Sequence, residues 1–431
     1  MIKLLILIFI IFNGCSLDTK TGLWKENKDS KEEKIFEKTE ENNNNKTLNT
    51  EFNPNLLIIL DKDFDKNIFN QLKNDNGIKQ FKISDNIPSK FKFKKINNFF
   101  SKSINLIFNN DELIFFDGDG SIFKINSLNE IIWQKNFYTK QEKKSDLSLN
   151  LDKYLETLIV TDNIGKFYKL DLDTGNLIWS KINTSPFNSE IKIFKDKVYL
   201  IDLENKIHCF SIIDGSRLWS YQTDNFFIKS QKKLSIVLDE GVVYFNNSVG
   251  DITALNAEDG TLVWQTPTQN SFAYASTILL NASDLVLNDG SIYFSNNQNE
   301  FYSLDKSTGF VNWKQSINSD LRPLISKNLL FTVSLDGFLF IVEKNTGNII
   351  RVNDLLKNLK EKNKKNVKPT GFDISFDKIY LTLDDGSIIV SDIQDIGITS
   401  RIKISNKKIS RPFINNNKLF IINNNSIFEL N

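Results

Sequence analysis

Histidine and cysteine are nearly missing from this chain. Its 431 residues include one histidine, His208, and two cysteines, Cys15 and Cys209. A histidine-clustered metal site or a Ser–His–Asp triad needs more imidazole than that. With Cys15 taken up by the acylation read below, Cys209 has no partner, which excludes a disulfide framework within one chain. A charge surplus is missing as well: 54 Lys+Arg face 53 Asp+Glu, leaving a formal charge of +1. A duplex-binding surface needs excess basic groups to displace counterions, so nucleic acid is not an expected partner. No Gly-rich phosphate loop precedes a helix. The N-terminal apolar run, Leu4–Phe12, is far short of the roughly 20 residues that span a bilayer as a helix.

That short run has its own meaning. Lys3 precedes it, and Asn13, Gly14 and Cys15 follow. A positive residue, a brief apolar stretch and a small residue before a cut site describe a secretory signal. The cysteine directly after Gly14 resembles a bacterial lipoprotein signal, which implies that residues 1–14 are removed and Cys15 is acylated. Phe12 and Asn13 depart from the Leu and small residue usual at those positions. Residues 15–88 then read as a lipidated N-terminus and a mostly disordered tether. From Ser16 to Phe52 the chain is too polar to offset its ordering entropy by burial. "NPNLLIIL" (Asn53–Leu60) is a strand-like island, and 61–88 give no assignment.

What the chain does have is a repeated phrase. "LDLDTGNLIW" (Leu170–Trp179) returns as "FSIIDGSRLW" (Phe210–Trp219), "LNAEDGTLVW" (Leu255–Trp264) and "LDKSTGFVNW" (Leu304–Trp313). Upstream of each lies a strand, an Asn- or Gly-rich turn and a second strand, as in "LIVTDNIGKFYKL" (Leu158–Leu170). Segments such as "SEIKIF" (Ser189–Phe194) supply a further strand. Degenerate copies end at Trp133, at Arg351 and at Arg401, and "LFIINNNSIFELN" (Leu419–Asn431) stops after two strands. The hairpin-turn positions are Gly120, Gly165, Asn205, Gly250, Asn299, Gly337, Gly386 and Asn425, spaced 45, 40, 45, 49, 38, 49 and 39 residues apart.

A four-stranded unit recurring at such intervals is the signature of a β-propeller. The expected fold is therefore all-β, an eight-bladed propeller over residues 89–431. Each blade needs a neighbour on both faces, which explains runs such as "NLIW" that are apolar without alternating. The tryptophan on the outer strand can bury its ring between blades while its N–H reaches a backbone acceptor. The corner glycine permits a turn that a β-carbon would obstruct. The last copy lacks its outer strand, and an unpaired edge invites aggregation. "SKFKFKKI" (Ser89–Ile96) alternates like a strand and has no blade of its own, so it is expected to close the ring by pairing with the C-terminal strand.

Chemistry-bearing patterns are few. "DGDGS" (Asp117–Ser121) lacks the further acidic ligands of a calcium loop and coincides with a hairpin-turn position; "LDDGS" (Leu383–Ser387) reads the same way. Cys209 aligns with Lys169, Ala254 and Ser303 and reads as a strand filler. His208 aligns with Tyr168, Thr253 and Tyr302 and reads as an exposed strand residue.

The repeat resembles the pyrroloquinoline quinone (PQQ) repeat of quinoprotein dehydrogenases. Those enzymes add a vicinal disulfide and a calcium site beside the quinone, and no adjacent cysteine pair exists here. No cofactor is expected. Signal, tether and eight such blades together resemble the BamB family, the lipoprotein subunit of the bacterial machinery that assembles outer-membrane β-barrels. The resemblance covers Cys15 and residues 89–431. It implies a non-enzymatic scaffold, lipid-anchored on the periplasmic side of the outer membrane, that binds BamA through its POTRA domains. In that family a loop carrying a hydrophobic–x–hydrophobic–Arg motif contacts BamA. "TDNFFIKS" (Thr223–Ser230) falls at this place, with Phe226, Ile228 and Lys229 on the motif and Lys replacing Arg. The family's acidic pair in the following loop has no clear match near Leu280–Asp284. The other readings open at this point are an envelope propeller that binds other ligands or proteins and, last, a PQQ-dependent dehydrogenase.

Overall fold

The computed structural model describes Ile58, Leu60, Asn74, Ile78, Phe81 and residues 89–97, 104–223, 229–230, 232–268, 280–394 and 399–430. The chain divides into units 1–49 and 50–431, and everything described belongs to the second. Its strands form eight antiparallel four-stranded sheets. Blades 1 to 7 span residues 107–135, 149–182, 192–222, 236–266, 286–315, 324–354 and 369–403. Blade 8 takes three strands from 413–430 and its fourth from Ser89–Lys92.

The expected closure is the observed one. Ser89, Lys90, Phe91 and Lys92 pair with Glu429, Phe428, Ile427 and Ser426. The contact extends past the strand, with Phe93 N–H donating to Asn425 O (3.1 Å) and Ile96 N–H to Asn424 O (2.7 Å). Ile96 is buried in the cluster that joins blades 8, 1 and 2. The first and last strands of the propeller thus meet inside one sheet, and blade 8 has its outer strand.

We letter the strands of each blade A to D in ring order. A strands line the centre, where Ser189, just before the A strand of blade 3, bridges Leu234, just before that of blade 4. D strands form the rim: Leu177–Ile182 has no fully buried residue, whereas the B strand Thr157–Asp162 has five. Because neighbouring strands are antiparallel, the A–B turns and C–D corners share one face of the ring. The B–C hairpins and D–A connections share the other.

The repeated phrase is a staple between blades. Trp133, Trp179, Trp219, Trp264 and Trp313 each donate Nε1–H to a carbonyl of the next blade's C–D corner: Leu172, Ile212, Ala257, Lys306 and Lys344, at 3.1, 3.2, 3.2, 2.9 and 2.9 Å. The corner glycine lies over the same indole. At Gly260 (φ +76°) a β-carbon would stand 2.6 Å from the Trp219 ring, so both the backbone conformation and the close approach demand glycine. The "DTG…W" phrase therefore encodes two halves of two different contacts, one to the blade before and one to the blade after.

The degenerate copies depart from this pattern in instructive ways. Arg351 takes the tryptophan position of blade 6, is 1% exposed, and keeps the hydrogen bond through Nη1 to Ile393 O at 3.1 Å. In blade 7 the stretched corner shifts the register by one. Ser400, and not Arg401, stands at the tryptophan position opposite Val390. Arg401 turns back onto Asp385 and Ser387 of its own blade. Of the eight turn positions, seven adopt positive φ, and Asn425 is the exception, in a two-residue hairpin between Asn423 and Ser426.

Candidate docking surface

The loop that the family resemblance singles out leaves the D strand of blade 3 on the B–C/D–A face. Phe226 and Ile228 lie outside the described residues, as does Cys15. Lys229 is described: its Nζ is 3.0 Å from Glu204 Oε2, on the B–C turn of blade 3, with both side chains partly exposed.

The loop's two stems are held by buried and partly buried hydrogen bonds. Thr223 Oγ1 donates to Asn205 O at 2.8 Å. On the far side, Ser230 N–H donates to Ser248 Oγ (3.1 Å), and Ser248 donates in turn to Asn205 Oδ1 at 3.0 Å from its N–H and 2.6 Å from its hydroxyl. Asn205 is fully buried with φ +59°. It is the hub that ties both stems to the blade 3 and blade 4 hairpins. A third bond, Asn188 Nδ2 to Ser230 O (2.9 Å), reaches the D–A connection before blade 3. The described stems, Thr223 and Ser230, are thus tied to the hairpins of blades 3 and 4.

Beside this loop the D–A connections bring charged groups to the mouth of the ring. Lys232 Nζ donates to Asp320 O at 2.6 Å and lies 3.7 Å from Asp284. Burial pushes the Glu190 carboxyl up, Asp284 adds to this, and Arg322, Arg411 and Lys192 oppose it. Burial acts on Asp284 in the same sense, but Lys232, Arg322 and Arg411 outweigh it and hold that carboxyl below its usual range. Burial pushes the Lys233 ammonium down to about 8, with Glu190 opposing. Lys233, Phe187, Asn150, Asp162 and Ser189 line a cavity of about 320 Å³ between blades 2 and 3. Asn150 Nδ2 donates to Ser189 O (2.9 Å) across that boundary.

Among the described residues no three His, Cys, Asp or Glu side chains converge so that they could hold a metal ion. Asp117 is committed to its turn, its Oδ1 accepting the N–H groups of Asp119 (3.0 Å) and Ser121 (2.9 Å). Cys209 is fully buried, and burial pushes its thiol up to about 12, as a strand filler requires. His208 corrects the sequence reading. It is 2% exposed rather than at the surface, with Nε2 2.8 Å from Asp202 Oδ2 and its ring between Phe187 and Phe210. Its counterparts Tyr168 and Tyr302 are buried too, so the repeat itself carried the signal.

The family model described as outer membrane protein assembly factor BamB matches residues 130–353, more than half of the chain. The chain belongs to the BamB family. Among solved structures, BamB from Moraxella catarrhalis is similar over 81% of this chain and 100% of its own, with 18% identity and a TM-score of 0.64. The quinohemoprotein alcohol dehydrogenase from Comamonas testosteroni is similar over 80% of this chain and 76% of its own, at 9% identity and a TM-score of 0.60. The computationally designed protein Ika8 covers 79% of the chain at 13% identity and a TM-score of 0.58. At these identities the three establish the shared fold alone. No curated protein matches.

Proposed function

We propose that this BamB-family chain is a non-enzymatic scaffold of the outer-membrane β-barrel assembly machinery, held to the periplasmic side of the outer membrane by acylated Cys15. In this reading the 223–230 loop docks BamA through its POTRA domains. The family match carries the proposal. The pinned loop stems support it, because an interface anchor works best when its frame is already ordered. Phe226 and Ile228 would fill apolar pockets on the partner, and Lys229 would meet a carboxylate as a point charge, without the forked geometry of arginine.

Two or three acyl chains give a stable attachment that one chain does not. Mass spectrometry of the mature N-terminus should find a diacylglyceryl adduct on Cys15, and co-purification from solubilised outer membranes should recover BamA. An unmodified cysteine removes the anchor from the account, and absence of BamA from the purified complex removes the scaffold role.

A quinoprotein dehydrogenase is the second reading, favoured only by the fold it shares with the Comamonas testosteroni enzyme. A titration with pyrroloquinoline quinone and calcium decides it: saturable binding would support an enzyme, and none is expected.

A further inference from the structure

We infer that the segment before the propeller supplies the inter-blade staples that blades 6 and 7 lack, with Phe81 standing in for the missing tryptophan of blade 7. In blades 3, 4 and 5 the indole meets a tyrosine of its own B strand: Tyr199–Trp219, Tyr244–Trp264 and Tyr293–Trp313, with centroids 5.9, 5.8 and 6.0 Å apart. The register sets these residues abreast, as Tyr199, Cys209 and Trp219. The same row in blade 7 is Tyr380, Val390 and Ser400. Serine brings no ring to it.

A tryptophan at 400 would gain little. Its staple needs the C–D corner of the next blade, and blade 8 has none, because its C strand ends at Leu430 and its D strand is Ser89–Lys92. Ring closure removes the acceptor. Phe81 takes the place instead. Its ring centroid is 4.5 Å from that of Tyr380, and it is 1% exposed. It belongs to one buried cluster with Tyr380 and Ile388 of blade 7 and Leu419, Ile421 and Phe428 of blade 8. Its N–H donates to Ser375 Oγ (2.7 Å), which donates back to its carbonyl at 2.8 Å.

The boundary between blades 6 and 7 shows the same substitution. Arg351 brings no indole but keeps the hydrogen bond to Ile393, and the neighbouring Gln394 exchanges two bonds with the backbone of Ile58, whose N–H donates at 3.1 Å. Ile58 and Leu60 are buried in the cluster that joins these two blades. Asn74, with no exposure, reaches further round the ring. Its amide pairs with Leu238 N–H (3.2 Å) and O (2.6 Å), and its carbonyl accepts Leu287 N–H (3.0 Å), linking the A strands of blades 4 and 5. All these grips lie on the A–B/C–D face. The residues before the propeller are then part of its closure, although nothing in the repeat encodes them.

The test is a double-mutant cycle in the full mature chain with Phe81→Ala, Tyr380→Ala and both together, read by melting and by hydrogen exchange. Phe81→Ala should raise exchange roughly tenfold or more in Lys378–Leu383 and Lys418–Asn423 while Thr157–Asp162 stays unchanged. The two single losses in melting temperature should be clearly non-additive. Phe81→Leu, which keeps the bulk and loses the ring, should give a smaller change in the same strands if the alanine variant is not recovered. Unchanged exchange in those strands, or strictly additive losses, would overturn the inference.

Discussion

Blades 1 to 5 and blades 6 to 8 are built from one repeat but are held together differently. The five tryptophans of the described residues all reach forward from blades 1 to 5, each onto a carbonyl of the following blade. Beyond them comes an arginine that keeps the forward bond without an indole, then a serine at the tryptophan position, then a blade whose outer strand comes from before the repeat. A staple made of two halves works only where both halves exist. Closing the ring with the chain's two ends removes the last corner, so the sequence gives up the tryptophan where it has nothing to hold. The residues that then hold the seam come from outside the repeat.

The largest expected effect attacks the seam itself. Deleting Ser89–Ile96 removes a paired strand and exposes an edge, and should lower the melting temperature far more than deleting Ser16–Phe52. Comparable melting of the two deletions would show that closure does not depend on this strand.

The stapled half should break locally. Trp219→Ala loses a partly buried ring and its hydrogen bond to Ala257, a cost of about 3 kcal/mol. Hydrogen exchange should rise at the boundary of blades 3 and 4 and leave blades 7 and 8 unaffected. Uniform loosening round the ring would dissolve the contrast between the halves. Gly260→Ala attacks the same staple from its other end, through positive φ and a β-carbon against the indole, and should cost about 2 kcal/mol in a denaturant titration. Since both changes act on one contact, the pair Gly260→Ala/Trp219→Ala should cost less than their sum.

The smallest effect concerns the mouth of the ring, which both halves share. Burial pushes the Lys233 ammonium from its ordinary 10.5 down to about 8 in the folded chain. Between these values the unfolded chain binds more protons, so this group makes stability rise with pH from about 8 to 10.5 and adds nothing further above that. Stability measured across that range should therefore show a steeper rise in the native chain than in Lys233→Met. Parallel profiles would mean that burial does not suppress this charge.

The repeat made much of the fold legible. Eight hairpin turns, the four-stranded unit and the strand that closes the ring could be read because each is a period, or a gap in one. Single residues have no period. Ile58, Asn74 and Phe81 sit in a polar stretch where nothing marks them until the blades they touch are in place. The one-residue shift that puts Ser400 in the tryptophan position arises inside a stretched corner, where alignment on the final Arg is misled. The charged mouth gathers single residues from D–A connections that share no sequence. Its pairings depend on the ring being closed, so they exist only in three dimensions. In the candidate docking loop, family resemblance alone proposes the motif positions, and the Asn205–Ser248–Ser230 frame that holds the described stems carries no sequence signal.

The most direct test of the functional account is a binding titration of the mature chain against the POTRA domains of BamA from the same organism. Native and Phe226→Ala/Ile228→Ala proteins should first show the same melting temperature. The native chain is then expected to bind saturably, and the double variant to bind at least about tenfold more weakly, as loss of interface anchors requires. A double variant that folds normally and binds with unchanged affinity would contradict the account.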